Sequence, residues 1–189
     1  FSKNTQELIL FALNPLVVFE SLVGGHNDIV MMFFALLSLY LFKNKKMLFG
    51  IIFLLLSIFI KFATIFLIPV FIYLFIQNIK ERKINWDKVF FFASISMLIV
   101  FLLSSFREEI YPWYAIWFLI FLPFIKNKFI KSLYLVFSFS LLLRYIPFML
   151  IGTHFGLTPI IKMTFTFLPI FFVLIYFISK FIWTKFQSR

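Results

Sequence analysis

A run of polar residues interrupts the first apolar part of the chain between Asn14 and Asp28. The segment reads NPLVVFESLVGGHND, with a single acid, Glu20, inside an apolar stretch. His26, Asn27 and Asp28 then follow one another before the next apolar run begins. An acid inside or at the rim of the membrane hydrocarbon costs about 2.5–3.5 kcal/mol on insertion scales, so these residues are candidates for function. A carboxylate within hydrogen-bond reach of a hydroxyl group can abstract its proton.

The composition is that of an integral membrane protein. The 189 residues are 63% hydrophobic and only 13% charged, and their mean hydropathy is +1.07. A soluble domain is about 45–50% apolar and about 25% charged. The net charge of +11 is typical of basic cytoplasmic loops that set membrane topology, so no nucleic-acid partner is expected. Because cysteine is absent, disulfide and thiolate chemistry are excluded.

The apolar pattern predicts an all-α fold, a polytopic transmembrane helix bundle of about eight segments that forms one domain over residues 1–189. Several segments are shorter than the roughly 20 residues that a perpendicular helix needs to cross the hydrocarbon. Lysine side chains that flank them can extend to the interface. The predicted segments are residues 8–23, 29–42, 47–60, 62–76, 89–105, 113–125, 129–143 and 159–179.

The interval from residue 47 to residue 76 is interrupted only by Lys61, so it is either one long tilted helix or two short helices that turn there. Loop charge decides between them, because Lys and Arg accumulate on the cytoplasmic side. One continuous helix would move the basic cluster at residues 80–88 to the opposite side and remove most of the charge bias. We therefore expect the turn. The extracytoplasmic side then receives only Lys61, Arg107, Arg144 and Lys162 among the basic residues.

The same topology brings most of the other polar and aromatic residues to the extracytoplasmic side. Cations near carboxylates and aromatic rings are what a site for an anionic lipid and a sugar needs. Simpler roles stay open: Asp28 could cap the helix that begins at Ile29, Lys61 could only extend to the interface, and Glu108 could belong to a self-neutralising loop. His26 has no second His at ligand spacing, so a zinc site is not expected. The expected site comprises Glu20, His26, Asn27, Asp28, Lys61, Arg107, Glu108, Tyr111, Trp113, Tyr114 and Arg144.

Several of these motifs resemble polytopic glycosyltransferases of the GT-C type. They are most similar to the polyprenyl-phosphate-mannose-dependent mannosyltransferases. The likeness covers most of residues 8–125, and beyond that stretch only the alternation of helices agrees. The motifs are Asn14-Pro15, Glu20 and Gly25-His26-Asn27-Asp28, then Ile60-Lys61-Phe62 ahead of Pro69, and finally Tyr111-Pro112-Trp113-Tyr114.

The resemblance implies a membrane-embedded transferase that moves a hexose, with mannose favoured, from a polyprenyl-phosphate donor to a glycan or lipid acceptor. It places the active face on the extracytoplasmic side of the cell or plasma membrane and implies an inverting reaction. Asp28 is the expected catalytic residue, and the other residues of the expected site would bind substrate. No cofactor is implied with certainty, but a divalent metal ion is compatible with the site.

The chain departs from the family in one respect, because it has no extracytoplasmic loop between its first two helices, where the family usually carries the catalytic Asp. Asp28 would then be a substitute base or a partner in acceptor or metal binding. We expect that the chain lacks its natural N-terminus and that an outer acid lies upstream of Phe1. Two other classes stay open: a transporter or lipid flippase, whose sites usually lie near the membrane midplane, and a non-catalytic membrane subunit.

Overall fold

The structure is a computed structural model that describes residues 5–107 and 109–187, and at Arg107 it describes the backbone alone. Every regular element in that part of the chain is a helix, which confirms the all-α class. Within the same residues, a π-helix at Phe19–Val23 continues α2, and 3-10 helices cover Phe62–Leu67, Pro112–Ala115 and Leu122–Phe124. The α-helices are α1 Thr5–Ala12, α2 Pro15–Val18, α3 Asp28–Lys43, α4 Met47–Ile60, α5 Ile68–Ile79, α6 Trp86–Arg107, α7 Ile116–Leu119, α8 Lys128–Leu143, α9 Tyr145–Ile151 and α10 Thr158–Gln187.

The chain forms two compact units, Phe1–Lys126 and Asn127–Arg189. The first unit contains α1 to α7 and, of the expected site residues that the structure describes, all except Arg144. The second unit contains α8 to α10. The single transmembrane domain expected over residues 1–189 stays a prediction.

The helices are compatible with an integral membrane protein. Among the described residues, four helical stretches are long and apolar enough to cross a membrane, and a fifth is added if the two halves of residues 5–23, bent by 53°, form one span. The helices Met47–Ile60 and Pro112–Phe124 are apolar but shorter, so the expected number of eight segments stays a prediction. The four long stretches are Phe62–Ile79, Trp86–Phe106, Lys128–Ile151 and Thr158–Gln187.

Helices α3 and α4 form an antiparallel hairpin with small residues at its contact surface. The Ser57 hydroxyl donates to the carbonyl of Met31 at 2.8 Å, and the Ser38 hydroxyl donates to the carbonyl of Gly50 at 2.5 Å. A Cβ atom at Gly50 would overlap the ring of Phe42, so glycine allows the two helices to approach. Close backbone contact at small residues is how helices associate in lipid, where the hydrophobic effect offers no driving force.

The chain reverses direction at Lys61. This residue has extended backbone angles, φ −159° and ψ 129°, between the end of α4 and the following 3-10 helix. The Ser57 hydroxyl lies 3.0 Å from that of Thr64, and at the other end the amide of Asn78 lies 2.7 Å from the sulfur of Met47. In one continuous helix, Met47 and Asn78 would be about 46 Å apart. The turn expected at Lys61 is therefore present.

The reversal gives the first unit two chemically different ends. At one end, the Lys43 ammonium lies 5.9 Å from the centre of the Trp86 ring, and Lys126 forms an ion pair with Asp87 at 2.6 Å. At the other end lies Lys61. The basic loops of this unit are therefore grouped as the charge pattern predicts, and which end faces the cytoplasm stays a prediction.

The second unit buries a charged group of its own. Arg144 lies between α8 and α9 and is only 3% exposed. Its guanidinium donates to the Thr166 hydroxyl at 2.8 Å and to the Lys162 carbonyl at 3.5 Å. A buried cation is tolerated when such acceptors replace water, so these contacts give Arg144 a structural role within its own unit.

Candidate functional site

The first motif, Asn14-Pro15, starts a helix. The Asn14 side-chain oxygen accepts from the backbone N–H groups of Leu16 and Val17 at 3.0 and 3.5 Å, and Pro15 occupies the first helical position. Both features are favoured at helix N-termini, because they satisfy or remove amide hydrogens that lack a partner within the helix. The helix then widens into the π-helix Phe19–Val23, which carries Glu20 in a buried position. Short π-helical turns occur frequently at functional sites.

Glu20 and His26 form a pair across the end of this π-helix. The backbone N–H of His26 donates to the Glu20 carbonyl at 3.1 Å, and the imidazole Nε2 lies 3.5 Å from Glu20 Oε2. Gly24 makes room for the pair, since a Cβ atom there would lie 2.9 Å from Cδ2 of His26. Gly25 has φ +64°, which favours glycine, and it turns the chain back toward Glu20. The Glu20 side chain is 1% exposed and the His26 side chain 31% exposed.

Asp28 is the first residue of α3, and it is fully buried. Its carboxylate accepts from the Lys61 ammonium at 3.0 and 3.2 Å, one contact to each oxygen. The Trp117 indole N–H also donates to Oδ1, at 2.5 Å. The N-cap position belongs to Asn27, whose side chain makes no capping bond. The carboxylate of Asp28 therefore binds Lys61 and Trp117, and the alternative role as a helix cap is not seen.

Lys61 turns inward to Asp28. Its ammonium lies 4.2 Å from the centre of the Tyr114 ring and 5.6 Å from that of Trp117, where the negative face of a π-system attracts a cation. The lysine side chain is 30% exposed, whereas that of Asp28 is 1% exposed. The pair therefore has one buried partner and one partner that a ligand can reach.

The aromatic residues of 111–117 connect the two acid–base pairs. Trp113 stacks on the His26 ring at 4.1 Å and on the Tyr111 ring at 4.5 Å. Tyr114 stacks on Trp117 at 4.3 Å and meets Tyr111 edge to face. We call this group the aromatic cluster: Tyr111, Trp113, Tyr114 and Trp117. Aromatic side chains have two faces and few rotatable bonds, so such a cluster is rigid.

The structure brings together most of the residues expected in the site. Asn27 is exposed and starts α3 through its backbone. Arg144 lies in the second unit, while the Arg107 side chain and Glu108 fall outside the described residues. Trp117 was not among the residues expected in the site, although it contacts Asp28 directly. The residues that meet are Glu20, His26, Asp28, Lys61, Tyr111, Trp113 and Tyr114.

The site supplies few metal ligands. Over residues 5–107 and 109–187, no group of three or more His, Cys, Asp or Glu side chains lies close enough to hold a metal ion. Asp28 already compensates the charge of Lys61. A divalent metal ion therefore stays a prediction with no ligand set assigned to it.

Comparison with known proteins supports the resemblance noted in the sequence. Residues 2–77 match the family model described as alpha-(1->6)-mannopyranosyltransferase, N-terminal domain. The matched stretch contains Glu20, His26, Asp28 and Lys61, but not the aromatic cluster. No curated protein and no solved structure matches the chain significantly. The chain is thus similar, over its first two fifths, to the N-terminal domain of a mannosyltransferase family.

Proposed function

We propose that this chain is part of a membrane-embedded glycosyltransferase that moves mannose from a polyprenyl-phosphate donor to a glycan or lipid acceptor on the extracytoplasmic face. The observation that carries the proposal is the Asp28–Lys61 ion pair beside the aromatic cluster. Both charged residues lie within the stretch that matches the mannosyltransferase family model. A lipid-linked donor also fits a chain of apolar helices, because its tail lies in the same bilayer.

The proposed donor has three parts, and each has a chemical counterpart in the site. The exposed part of Lys61 offers positive charge for the phosphate. The half-buried rings of Tyr111, Trp113 and Tyr114 offer apolar surface and hydroxyl or indole groups for a hexose. Exposed apolar side chains such as Leu22 and Phe62, next to the site in sequence, suit the polyprenyl chain. Sugar, phosphate and lipid would thus meet different residues.

The proposed reaction is a direct displacement at the anomeric carbon. The acceptor oxygen forms a new bond to that carbon while the bond to the donor phosphate breaks and its electron pair passes to the phosphate oxygen. A carboxylate takes the acceptor proton. A positioned ammonium stabilises the negative charge that develops on the leaving phosphate. One displacement inverts the configuration of the anomeric carbon.

Asp28 would be the base and Lys61 would stabilise the leaving phosphate, and the ion pair between them would couple the two roles. While Lys61 contacts both carboxylate oxygens, Asp28 is buried and cannot receive a proton from an acceptor. A donor phosphate competes with Asp28 for the lysine ammonium, since charge-assisted hydrogen bonds to phosphate are strong. Donor binding would therefore release Asp28 as the base when the leaving group is in place. His26 is the second candidate for the base, because its side chain is partly exposed and paired with Glu20.

Reconstitution of the natural protein tests the proposal. Liposomes that contain it are given polyprenyl-phosphate-mannose or a nucleotide-linked mannose, and glycosylated products are separated by mass. We expect product from the lipid donor alone, with the anomeric configuration opposite to that of the donor. Movement of the donor lipid across the bilayer without a new glycosidic bond would instead indicate a transporter or flippase. Failure of every mannosyl donor to give product would favour a non-catalytic subunit.

A further inference from the structure

A second polar recess lies at the basic end of the first unit, remote from Lys61. It has a volume of about 750 Å³ and lies between the loop that joins α3 to α4 and the loop that joins α5 to α6. This volume falls in the range of about 300–1,000 Å³ that is typical of small-molecule sites. Its lining includes Lys43, Lys45, Arg82, Lys83, Asn78 and Trp86.

The recess concentrates positive charge. Four basic side chains line it, and Glu81 is the one acid among the lining residues. Basic residues that share a recess repel one another, and a bound anion relieves that repulsion. Arg82 adds a planar fork that can bind two phosphate oxygens at once. The Lys43 ammonium already lies over the Trp86 ring, so the cavity wall on that side is ordered by a cation–π contact.

Both loops carry a strained turn at the recess. Lys45 has φ 59° and Glu81 has φ 50°, the left-handed region in which glycine is usual. Each turn closes the preceding helix, because the N–H of Lys46 donates to the Leu41 carbonyl at 2.9 Å and that of Arg82 to the Gln77 carbonyl at 3.0 Å. Glycine is favoured at this position of the motif. The side chains of Lys45 and Glu81 thus line the recess from backbone positions at which glycine would be favoured.

The surroundings of the recess are those of a membrane interface. Next to the recess, Leu48 in the first turn of α4 is 70% exposed and Ile79 at the end of α5 is 64% exposed. Trp86 is the type of residue that lies at the boundary between headgroups and hydrocarbon. An occupant of this site can therefore combine a negatively charged group in the recess with an apolar part along the neighbouring helices.

We propose that this recess binds the phosphate-bearing headgroup of an anionic membrane lipid. Phosphate oxygens accept from Lys45, Arg82 and Lys83, and the acyl chains lie along the exposed apolar side chains of α4 and α5. Basic pockets between transmembrane helices are suited to such headgroups. The site is separate from the proposed transfer site, and its test does not require transferase activity.

Lipid binding by the purified natural protein tests this assignment. Native mass spectrometry compares retention of phosphatidylglycerol with that of phosphatidylcholine, and inorganic phosphate is added as a competitor. We expect phosphatidylglycerol to be retained preferentially. The double variant Arg82→Ala/Lys83→Ala should bind it about 10- to 30-fold more weakly, because each basic group at a membrane surface contributes roughly fivefold.

The matched control is Lys46→Ala/Lys80→Ala, which removes the same charge from the same two loops at residues that do not line the recess. All four side chains are exposed, so both variants should fold. Equal loss in the two double variants would show that surface charge alone attracts the lipid and would overturn the proposal. So would unchanged binding by the recess variant. Displacement of the lipid by millimolar inorganic phosphate would replace the lipid assignment with a free-phosphate site.

Discussion

Asp28 and His26 are two residues apart, yet their environments differ. Asp28 is fully buried, and Lys61 and Trp117 contact its carboxylate. His26 keeps part of its ring exposed, with Glu20 on one side and the face of Trp113 on another. Lys61 and His26 are therefore partly exposed, whereas the carboxylate of Asp28 is covered. Asp28 becomes available only if Lys61 changes its partner.

The same residues also make the local structure depend on ionic pairing. Removing Lys61 leaves a buried carboxylate without its counter-charge. This destabilises the protein more than replacing both partners by apolar residues of similar volume. A neutral isostere of Asp28 keeps its size and can still accept from Trp117. Asp28 and Lys61 should therefore be substituted one at a time. For each variant, the protein should be shown to remain folded in the membrane.

Among the elements, α3 and α5 are each followed by a turn in which glycine would be favoured. We predict that Lys45→Gly and Glu81→Gly each raise the free energy of unfolding by about 0.5–1 kcal/mol, because a left-handed residue other than glycine is strained. Thermal unfolding in detergent measures the effect. Lys46→Gly is the control, since Lys46 has φ −91° and glycine there only adds freedom to the unfolded chain. A lower stability for both loop variants would contradict the strain.

Some elements follow from the sequence, and others do not. The turn at Lys61 could be predicted because Lys and Arg are enriched in cytoplasmic loops, so the loop charges indicate the membrane topology. The π-helix at Phe19–Val23 could not, since it differs from an α-helix only by a shift in backbone hydrogen bonds and has no distinct side-chain pattern. The polar residues that meet in the candidate site could be singled out because a polar side chain in an apolar segment costs free energy.

The contacts between site residues were harder to foresee than the residues themselves. Trp117 lies 89 residues from Asp28 in the chain, and an aromatic residue in an apolar segment is expected to face lipid or the interface. Only the folded arrangement of α3 and α7 shows that its indole N–H meets the carboxylate. The Glu20–His26 pair likewise depends on Gly24, whose spatial role has no signal in a single sequence.

The proposed function requires a definite orientation of the whole molecule in the membrane. We predict that residues 43–46 and 77–88 of the first unit and residues 126–131 face the cytoplasm, while Asp28, Lys61 and Tyr111 face outward. These 189 residues contain no cysteine, so single cysteines can be introduced at positions 45 and 111 and treated with an impermeant maleimide in intact cells. Position 111 should react and position 45 should react only after the cells are opened. The reverse pattern would overturn the topology.

The most direct measurement is mannosyl transfer by the natural protein in liposomes with Asp28→Asn or Lys61→Met. We predict that each substitution lowers turnover by at least ~10²-fold, which is the usual effect of losing a general base or one charge stabiliser. Lys126→Ala is the control, because that ion pair lies at the other end of the unit and is exposed. Turnover close to normal in both folded variants would contradict the claim that this pair performs the transfer.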